Sequence, residues 1–357
     1  MSVTARTLGE RAFELCRIAS PIGEEAAIAD HVQKWAWPIF AESERVRVGH
    51  SFVLGVLDDP RPTVALVGHL DTVPAHPQAP KAELTDERLV ALGATDMKGA
   101  LAVMMELTEN LVHHQLPVNL LLVLYEREEG PWKESGLGPL FEQVPALKKV
   151  KLGIAMEPTD NAVQVGCVGS IHALARFHGR AAHSARPWQG KNAIHLAGSL
   201  LNDLASRERK AVVEGGHTFY EVLSATLASG GRARNVVPEA FEVNLNYRFA
   251  PGKTLAQAQT EVTDFVGGRA AVEFTDLAPS GRVVSGNPLY QKLLELSGVP
   301  AEAKQAWTDV ARFSEAGIDA VNFGPGEPAR AHQVDESVTL SALLKSYQVL
   351  ERFLHGS

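Results

Sequence analysis

Val118-Asn119-Leu120-Leu121-Leu122-Val123-Leu124-Tyr125 is among the longest strongly apolar runs in the chain, and polar and apolar residues do not alternate along it. A membrane span needs about 20 such residues, far more than this run supplies. A strand that is apolar on both sides belongs inside a sheet covered by helices on both faces. Two shorter runs read the same way, Thr63-Val64-Ala65-Leu66-Val67-Gly68 and Leu152-Gly153-Ile154-Ala155-Met156. Residues 97–115 form a long helix with Leu101, Met104, Met105, Leu107 and Leu111 on one side. Upstream, residues 7–19 and 24–37 have helical spacing, broken by Pro21-Ile22-Gly23 and by Pro38. Residues 51–57 read as a strand paired with 63–68 across the turn Asp58-Asp59-Pro60-Arg61-Pro62. The first 160 residues therefore predict an α/β layer, and no spacing repeats itself as a solenoid or propeller would require.

Beyond residue 170 the pattern changes. Ile171, Ala173, Ala175 and Phe177 alternate with polar neighbours, as do Phe241, Val243, Leu245, Tyr247 and Phe249, which marks a sheet with one wet face. Strands at 171–178, 221–228, 240–249 and 271–276, with helices at 192–206 and 254–266, give the β-α-β-β-α-β order of a ferredoxin-like unit. After Pro279-Ser280-Gly281 the helix and strand alternation of the first layer resumes. The expected fold class is α/β: a catalytic domain with a central sheet covered by helices, formed by residues 1–169 and 281–357, interrupted by an inserted ferredoxin-like α+β domain at 170–280.

Composition narrows the function. The 357 residues are 45% hydrophobic and 21% charged, ordinary for a globular chain and long enough for two domains. Thirty-four Lys and Arg against 42 Asp and Glu leave a net charge of −8, so no basic stripe recruits nucleic acid or an anionic membrane. The start, MSVTARTLGERAFELCRIAS, is charged and amphipathic and lacks the apolar core of a signal peptide. Cys16 and Cys167 cannot build a disulfide framework. A reduced, cytoplasmic location is expected.

The acids and histidines share one structural address. His69 ends the run 63–68, Glu128 and Glu129 follow 118–125, and Glu157 follows 152–156. In an open α/β sheet, ligands bind beyond the carboxyl ends of the strands. Asp96, in Gly93-Ala94-Thr95-Asp96-Met97-Lys98-Gly99, and His332, in a Gly/Pro loop after residues 318–323, reach the same rim. So many carboxylates repel one another and raise each other's pKa unless cations lie between them. Imidazole and carboxylate suit zinc or a similar divalent ion, and the surplus over one tetrahedral set argues for two ions sharing a carboxylate. Asp71, two residues past His69, is placed to fix the tautomer of that imidazole.

Other residues read as structural. His31, His50, His113, His114 and His217 fall on surface or helix faces, Cys167 has no base beside it in sequence, and Asp335-Glu336-Ser337 precedes the last helix as capping residues. No G-x-S-x-G elbow, Walker-type phosphate loop, G-x-G-x-x-G fingerprint or H-E-x-x-H helix occurs, which disfavours a serine hydrolase, an NTPase and a dinucleotide enzyme.

Gly68-His69-Leu70-Asp71-Thr72-Val73-Pro74 and Gly93-Ala94-Thr95-Asp96-Met97-Lys98-Gly99 resemble the G-H-x-D-T-V-P and G-x-x-D-M-K-G motifs of the M20 family of co-catalytic metallopeptidases and amidohydrolases. The resemblance continues through Glu128-Glu129, Glu157-Pro158, Gly169-Ser170, Ala182-His183-Ser184, Asn235-Val236-Val237-Pro238 and Ala331-His332-Gln333-Val334-Asp335-Glu336, spanning nearly the whole chain. Within the family it is strongest to the succinyl-diaminopimelate desuccinylases, through Asn246-Tyr247-Arg248-Phe249-Ala250-Pro251 and Trp307-Thr308-Asp309-Val310-Ala311-Arg312-Phe313.

The resemblance implies two divalent ions, zinc with cobalt as the alternative. His69 and Glu157 would hold one, Glu129 and His332 the other, and Asp96 would bridge them. Glu128 would be the general base that takes a proton from the attacking water and passes it to the departing amine. The inserted domain would act as lid and dimerisation domain of a homodimer, with His183 reaching the other subunit's site to stabilise the oxyanion. Arg248, Asn235, Ser170 and Thr308 match substrate-gripping positions, and an arginine fork suits the carboxylate of a succinyl group. The partner would be a small N-acyl amino acid, with no nucleic acid and no membrane. Two stretches depart from the desuccinylases. Cys167-Val168-Gly169-Ser170 stands where many have Arg-Arg-Gly-Ser, and Glu129-Gly130-Pro131-Trp132-Lys133-Glu134-Ser135-Gly136 differs from their common versions. The alternatives are the same chemistry on another N-acyl amino acid or dipeptide, and a catalytically silent metal-bound binding protein.

Overall fold

The structure, a computed structural model, describes residues 3–356. The chain divides into two compact units. One comprises the residues up to Gly166, Val284–Lys304 and those from Thr308 onward; the other comprises Cys167–Val283 with Gln305–Trp307.

The first unit is built on an eight-stranded mixed sheet. Thr63–His69 lies near its middle, parallel to Asn119–Tyr125 on one side and to Val150–Ala155 on the other, and Ala320–Asn322 continues the parallel centre. Every residue of Thr63–His69 is buried, as an unbroken apolar run requires of a strand covered on both faces. The register sets His69 opposite Tyr125 and Val67 opposite Ala155, so three carboxyl ends finish side by side.

Ser51–Leu54 does not pair with Thr63–His69, contrary to the hairpin reading. It runs antiparallel to Asn119–Tyr125 and to an edge strand, Arg45–Val48. The proline-rich turn leads the chain past the Asn119 strand, whose Asn119 N–H donates to the Pro62 carbonyl at 2.9 Å. The Thr63 strand thereby gains two parallel neighbours instead of one antiparallel one.

Ala5–Cys16, Gly99–Leu111 and Leu340–His355 pack on one another, and Gly99–Leu111 also packs on the Thr63 strand. That helix is buried nearly all round because it lies between sheet and helices. Gly68 permits the approach: a Cβ there would lie 2.9 Å from the side chains of Leu101 and Met97. The helix begins at Gly99 rather than 97, since Asp96 (φ −124°, ψ 91°) and Met97 (φ −134°, ψ 33°) leave the helical region. The peptide joining them is cis. Thr339 caps the final helix by accepting the Ala342 N–H, a contact worth about 1 kcal/mol.

The second unit is a five-stranded antiparallel sheet in the order Lys210–Glu214, His217–Gly230, Ala240–Phe249, Gly169–His178, Ala271–Ala278. Ala193–Ala205 and Leu255–Val266 close one face over Ile171, Ala175, Phe177, Val243 and Leu245. Without the Lys210–Glu214 strand this is the ferredoxin-like arrangement the alternation indicated; the extra strand comes from a hairpin the pattern did not reveal. Among the described residues no helix is long and apolar enough to cross a membrane.

Candidate metal centre

The level strand ends converge as the sequence indicated. His69 closes its strand, and Glu128, Glu129 and Glu157 follow theirs. Asp96 enters from the loop before the Gly99 helix, and His332 from the loop after Ala320–Asn322, where it is held at φ 61°, a left-handed conformation that a non-glycine residue keeps only when its surroundings fix it. Three groups place one potential ligand atom per residue within 4.8 Å of the others: His69, Asp96 and Glu157; Asp96, Glu129 and His332; and His69, Glu128 and Glu129. Asp96 belongs to the first two. Its Oδ1 lies 3.1 Å from His69 Nε2 and its Oδ2 lies 3.4 Å from His332 Nε2, while His332 Nε2 is 2.7 Å from Glu129 Oε1. The cluster grades from the buried His69 and Glu157 to His332, whose side chain is 48% exposed.

Asp71 meets the His69 ring through both its backbone carbonyl and its carboxylate. The nearer contact to His69 Nδ1 is the Asp71 backbone carbonyl at 3.0 Å, with the carboxylate oxygen at 3.5 Å. A carbonyl only accepts, so Nδ1 carries the hydrogen and Nε2 is left for the centre. The Asp71 carboxylate also accepts the backbone N–H groups of Glu128 and Glu129, both at 3.0 Å. One fully buried residue thus orients an imidazole and two acids.

The packed groups shift one another's protonation. Burial, with the charge of Asp96, pushes Glu157 up to about 7. Burial, then the charge of Glu157, holds Glu128 well above the usual carboxylate range. Burial works to lower the His69 imidazole, yet its bonds to Asp71 and Asp96 raise it well above its usual value. Hydrogen bonds to Asp96 and Glu129 raise His332 to about 10. Burial works to raise Asp96, yet the same two histidines hold it below the carboxylate range. Glu128, Glu157, His69 and His332 all shift toward keeping a proton, which is how a surplus of acids expresses demand for positive charge. Nitrogen and oxygen donors of this kind suit divalent ions, and two triads sharing Asp96 fit a pair of them.

Sequence reasoning missed two supports. Glu336 does not cap the last helix, a task Thr339 performs; it is buried and accepts backbone N–H groups of the Asp96 loop. Its partners lie some 240 residues away, so no local signal betrays it. The second support starts at Tyr125, whose hydroxyl donates to Asp309 at 2.6 Å. Arg312 donates to Asp309 at 3.3 Å and to the Trp132 carbonyl at 2.8 Å, with its guanidinium 3.6 Å from the Trp132 ring centre. This ties down the segment just beyond Glu129.

Of the remaining candidates, all but Thr308 belong to the second unit. In the second unit Arg248 stands directly opposite Ser170 on the neighbouring strand, and its Nε donates to Asn246 Oδ1 at 3.0 Å. His183 is exposed on the short strand Ala182–His183, which pairs with Val236–Val237, and the next residue, Ser184, donates its N–H to the Asn235 carbonyl at 2.9 Å. Thr308, in the first unit, is 1% exposed.

The sequence profile of peptidase family M20/M25/M40 matches residues 65–356. The chain belongs to this family. A relative from Mycobacterium tuberculosis, whose name proposes a succinyl-diaminopimelate desuccinylase, is 37% identical over 96% of both chains. A Corynebacterium glutamicum protein of the same name is 31% identical over 95% of this chain and 94% of its own. An acetylornithine deacetylase from Myxococcus xanthus is 30% identical over 82% of this chain and 79% of its own. Among solved structures, an M20 metallo-carboxypeptidase from Sulfolobus solfataricus aligns with a TM-score of 0.79 at 14% identity, covering 98% of both chains. A Bacillus subtilis protein described as a dinuclear metal-binding M20 peptidase aligns at 0.67 and 15% identity, covering 98% of this chain and 97% of its own. At those identities the structures establish the shared fold alone. The M20 chain is thus a metal-dependent amidohydrolase, with its donor cluster at the rim where a parallel sheet presents ligands.

Proposed function

We propose that this M20 hydrolase cleaves N-succinyl-L,L-diaminopimelate to succinate and L,L-diaminopimelate, in lysine and cell-wall precursor synthesis in the cytoplasm. The observation that carries the substrate is the 31% identity, over 95% of this chain and 94% of its own, to the C. glutamicum protein named for that activity. His69 and Glu157 would hold one divalent ion and Glu129 and His332 the other, with Asp96 between; zinc is the first expectation and cobalt the second. Such ions, when bound, polarise a carbonyl and make water acidic.

The chain's own residues supply the rest. Glu128, next to a ligand and fixed by Asp71, takes the proton of the attacking water and delivers it to the departing amine. Arg248, with Ser170 opposite, binds the succinyl carboxylate, and Asn235 and Thr308 hold the rest of the substrate. His183 donates to the oxygen of the tetrahedral intermediate, across the interface of a homodimer made through the second unit.

A second reading, the same chemistry on another N-acyl amino acid or a dipeptide, draws support from the 30% identity to an acetylornithine deacetylase and from Cys167-Val168 in place of the arginine pair. A panel of succinylated and acetylated amines and dipeptides on zinc-loaded enzyme separates them. The first reading expects a preference of ~10²-fold or more in kcat/KM for the succinyl donor, since the half-buried Arg248 guanidinium left without its carboxylate partner is costly. Indifference to the acyl group would refute it.

A further inference from the structure

Glu336 is 2% exposed, and its carboxylate lies outside the donor set. Its Oε2 accepts the Gly93 N–H at 3.0 Å, and its Oε1 accepts those of Thr95 and Asp96, both at 2.9 Å. The neighbouring backbone strengthens the join, because the Glu336 carbonyl accepts the Ala91 N–H at 3.0 Å and the Ser337 carbonyl accepts the Thr95 hydroxyl at 2.7 Å. The loop needs such a partner. Gly93 is left-handed at φ 78°, and Asp96 and Met97 are non-helical, so these amides lie outside a regular helical ladder. A buried N–H without an acceptor is costly, and a carboxylate can serve three donors at once.

Two features turn this from loop stabilisation into site construction. Asp96 itself is one of the three donors, and it is the residue shared by two of the ligand groups. Glu336 also sits four residues after His332, another loop-borne member of the cluster. One side chain therefore joins the two segments that bring Asp96 and His332 within 3.4 Å of each other.

We propose that Glu336 is a positioning residue, a buried acceptor that holds the Asp96 loop and the His332 segment together in the geometry that receives the metal pair. This rests on the reading of Asp96 and His332 as ligands. The test titrates metal-stripped full-length protein with Zn²⁺ against a competing chelator, for wild type, Glu336→Gln, Glu336→Asp and Asp96→Ala. Glu336→Gln turns an amide NH₂ toward N–H donors. It is expected to weaken zinc affinity by about 10 to 100-fold, as loss of a supporting partner does at metal sites, and to lower kcat at full zinc loading with little change in KM. Glu336→Asp is expected to recover part of both. Wild-type zinc affinity in folded Glu336→Gln would overturn the proposal. If Asp96→Ala also bound zinc as wild type does, the ligand reading itself would fall; if only Asp96→Ala lost affinity, that reading would stand and the role of Glu336 alone would be refuted. Should Glu336→Gln not fold, hydrogen exchange of metal-stripped wild type decides. Slow exchange at Gly93, Thr95 and Asp96 supports the clamp, and exchange at free-loop rates overturns it.

Discussion

The Asp71 carboxylate accepts the backbone N–H of Glu128 at 3.0 Å, so the acid assigned to proton transfer is fixed by the residue whose carbonyl also orients His69. Asp71→Asn would keep one acceptor oxygen and set an NH₂ against the other N–H. Loss of such a supporting partner is expected to cost about 10 to 100-fold in kcat, with metal content within reach of wild type. Steady-state kinetics beside elemental analysis checks this; unchanged kcat would show that the two N–H bonds do not govern the placement of Glu128.

Glu128→Gln separates the proposed base from the proposed ligands. Glu128 is a member of one candidate ligand group, but the two triads that share Asp96 are complete without it. The substitution is expected to leave metal content nearly intact and to remove a general-base contribution of roughly 10²–10⁴ in rate. Near wild-type turnover would refute the assignment, and loss of an ion would make Glu128 a ligand.

The cross-subunit role proposed for His183 has its own test. His183→Ala and Glu128→Gln subunits are each expected to be inactive as homodimers, and mixing them is expected to restore activity because one site of each heterodimer is then complete. No recovery in confirmed heterodimers would place His183 outside the partner's chemistry.

Much of this arrangement was legible in the sequence because apolar runs mark the buried strands and, with them, the polar residues at their carboxyl ends. His69, Glu128, Glu129 and Glu157 stand where three buried parallel strands end, and level register makes those ends neighbours. The helix start was misplaced by two residues because Met97 looks like a core position in a helical pattern. In the structure its sulfur lies 3.2 Å from the His69 amide nitrogen, and its backbone is not helical. The partner of Ser51–Leu54 was misread because a proline turn permits a hairpin, whereas the sheet favours a central Thr63 strand with two parallel neighbours. Glu336 was illegible for a different reason. An acid before a helix has the same local signature whether it caps that helix or serves N–H groups on a distant loop, and only the folded chain decides.

Metal content and amide hydrolysis measured on one sample, before chelation, after exhaustive chelation and after zinc is returned, address the dinuclear centre most directly. Two ions per chain are expected at full loading, with activity abolished on their removal and restored on their return. A chelated sample that hydrolyses its substrate at the original rate, or a fully active chain that binds no more than one ion, would contradict it.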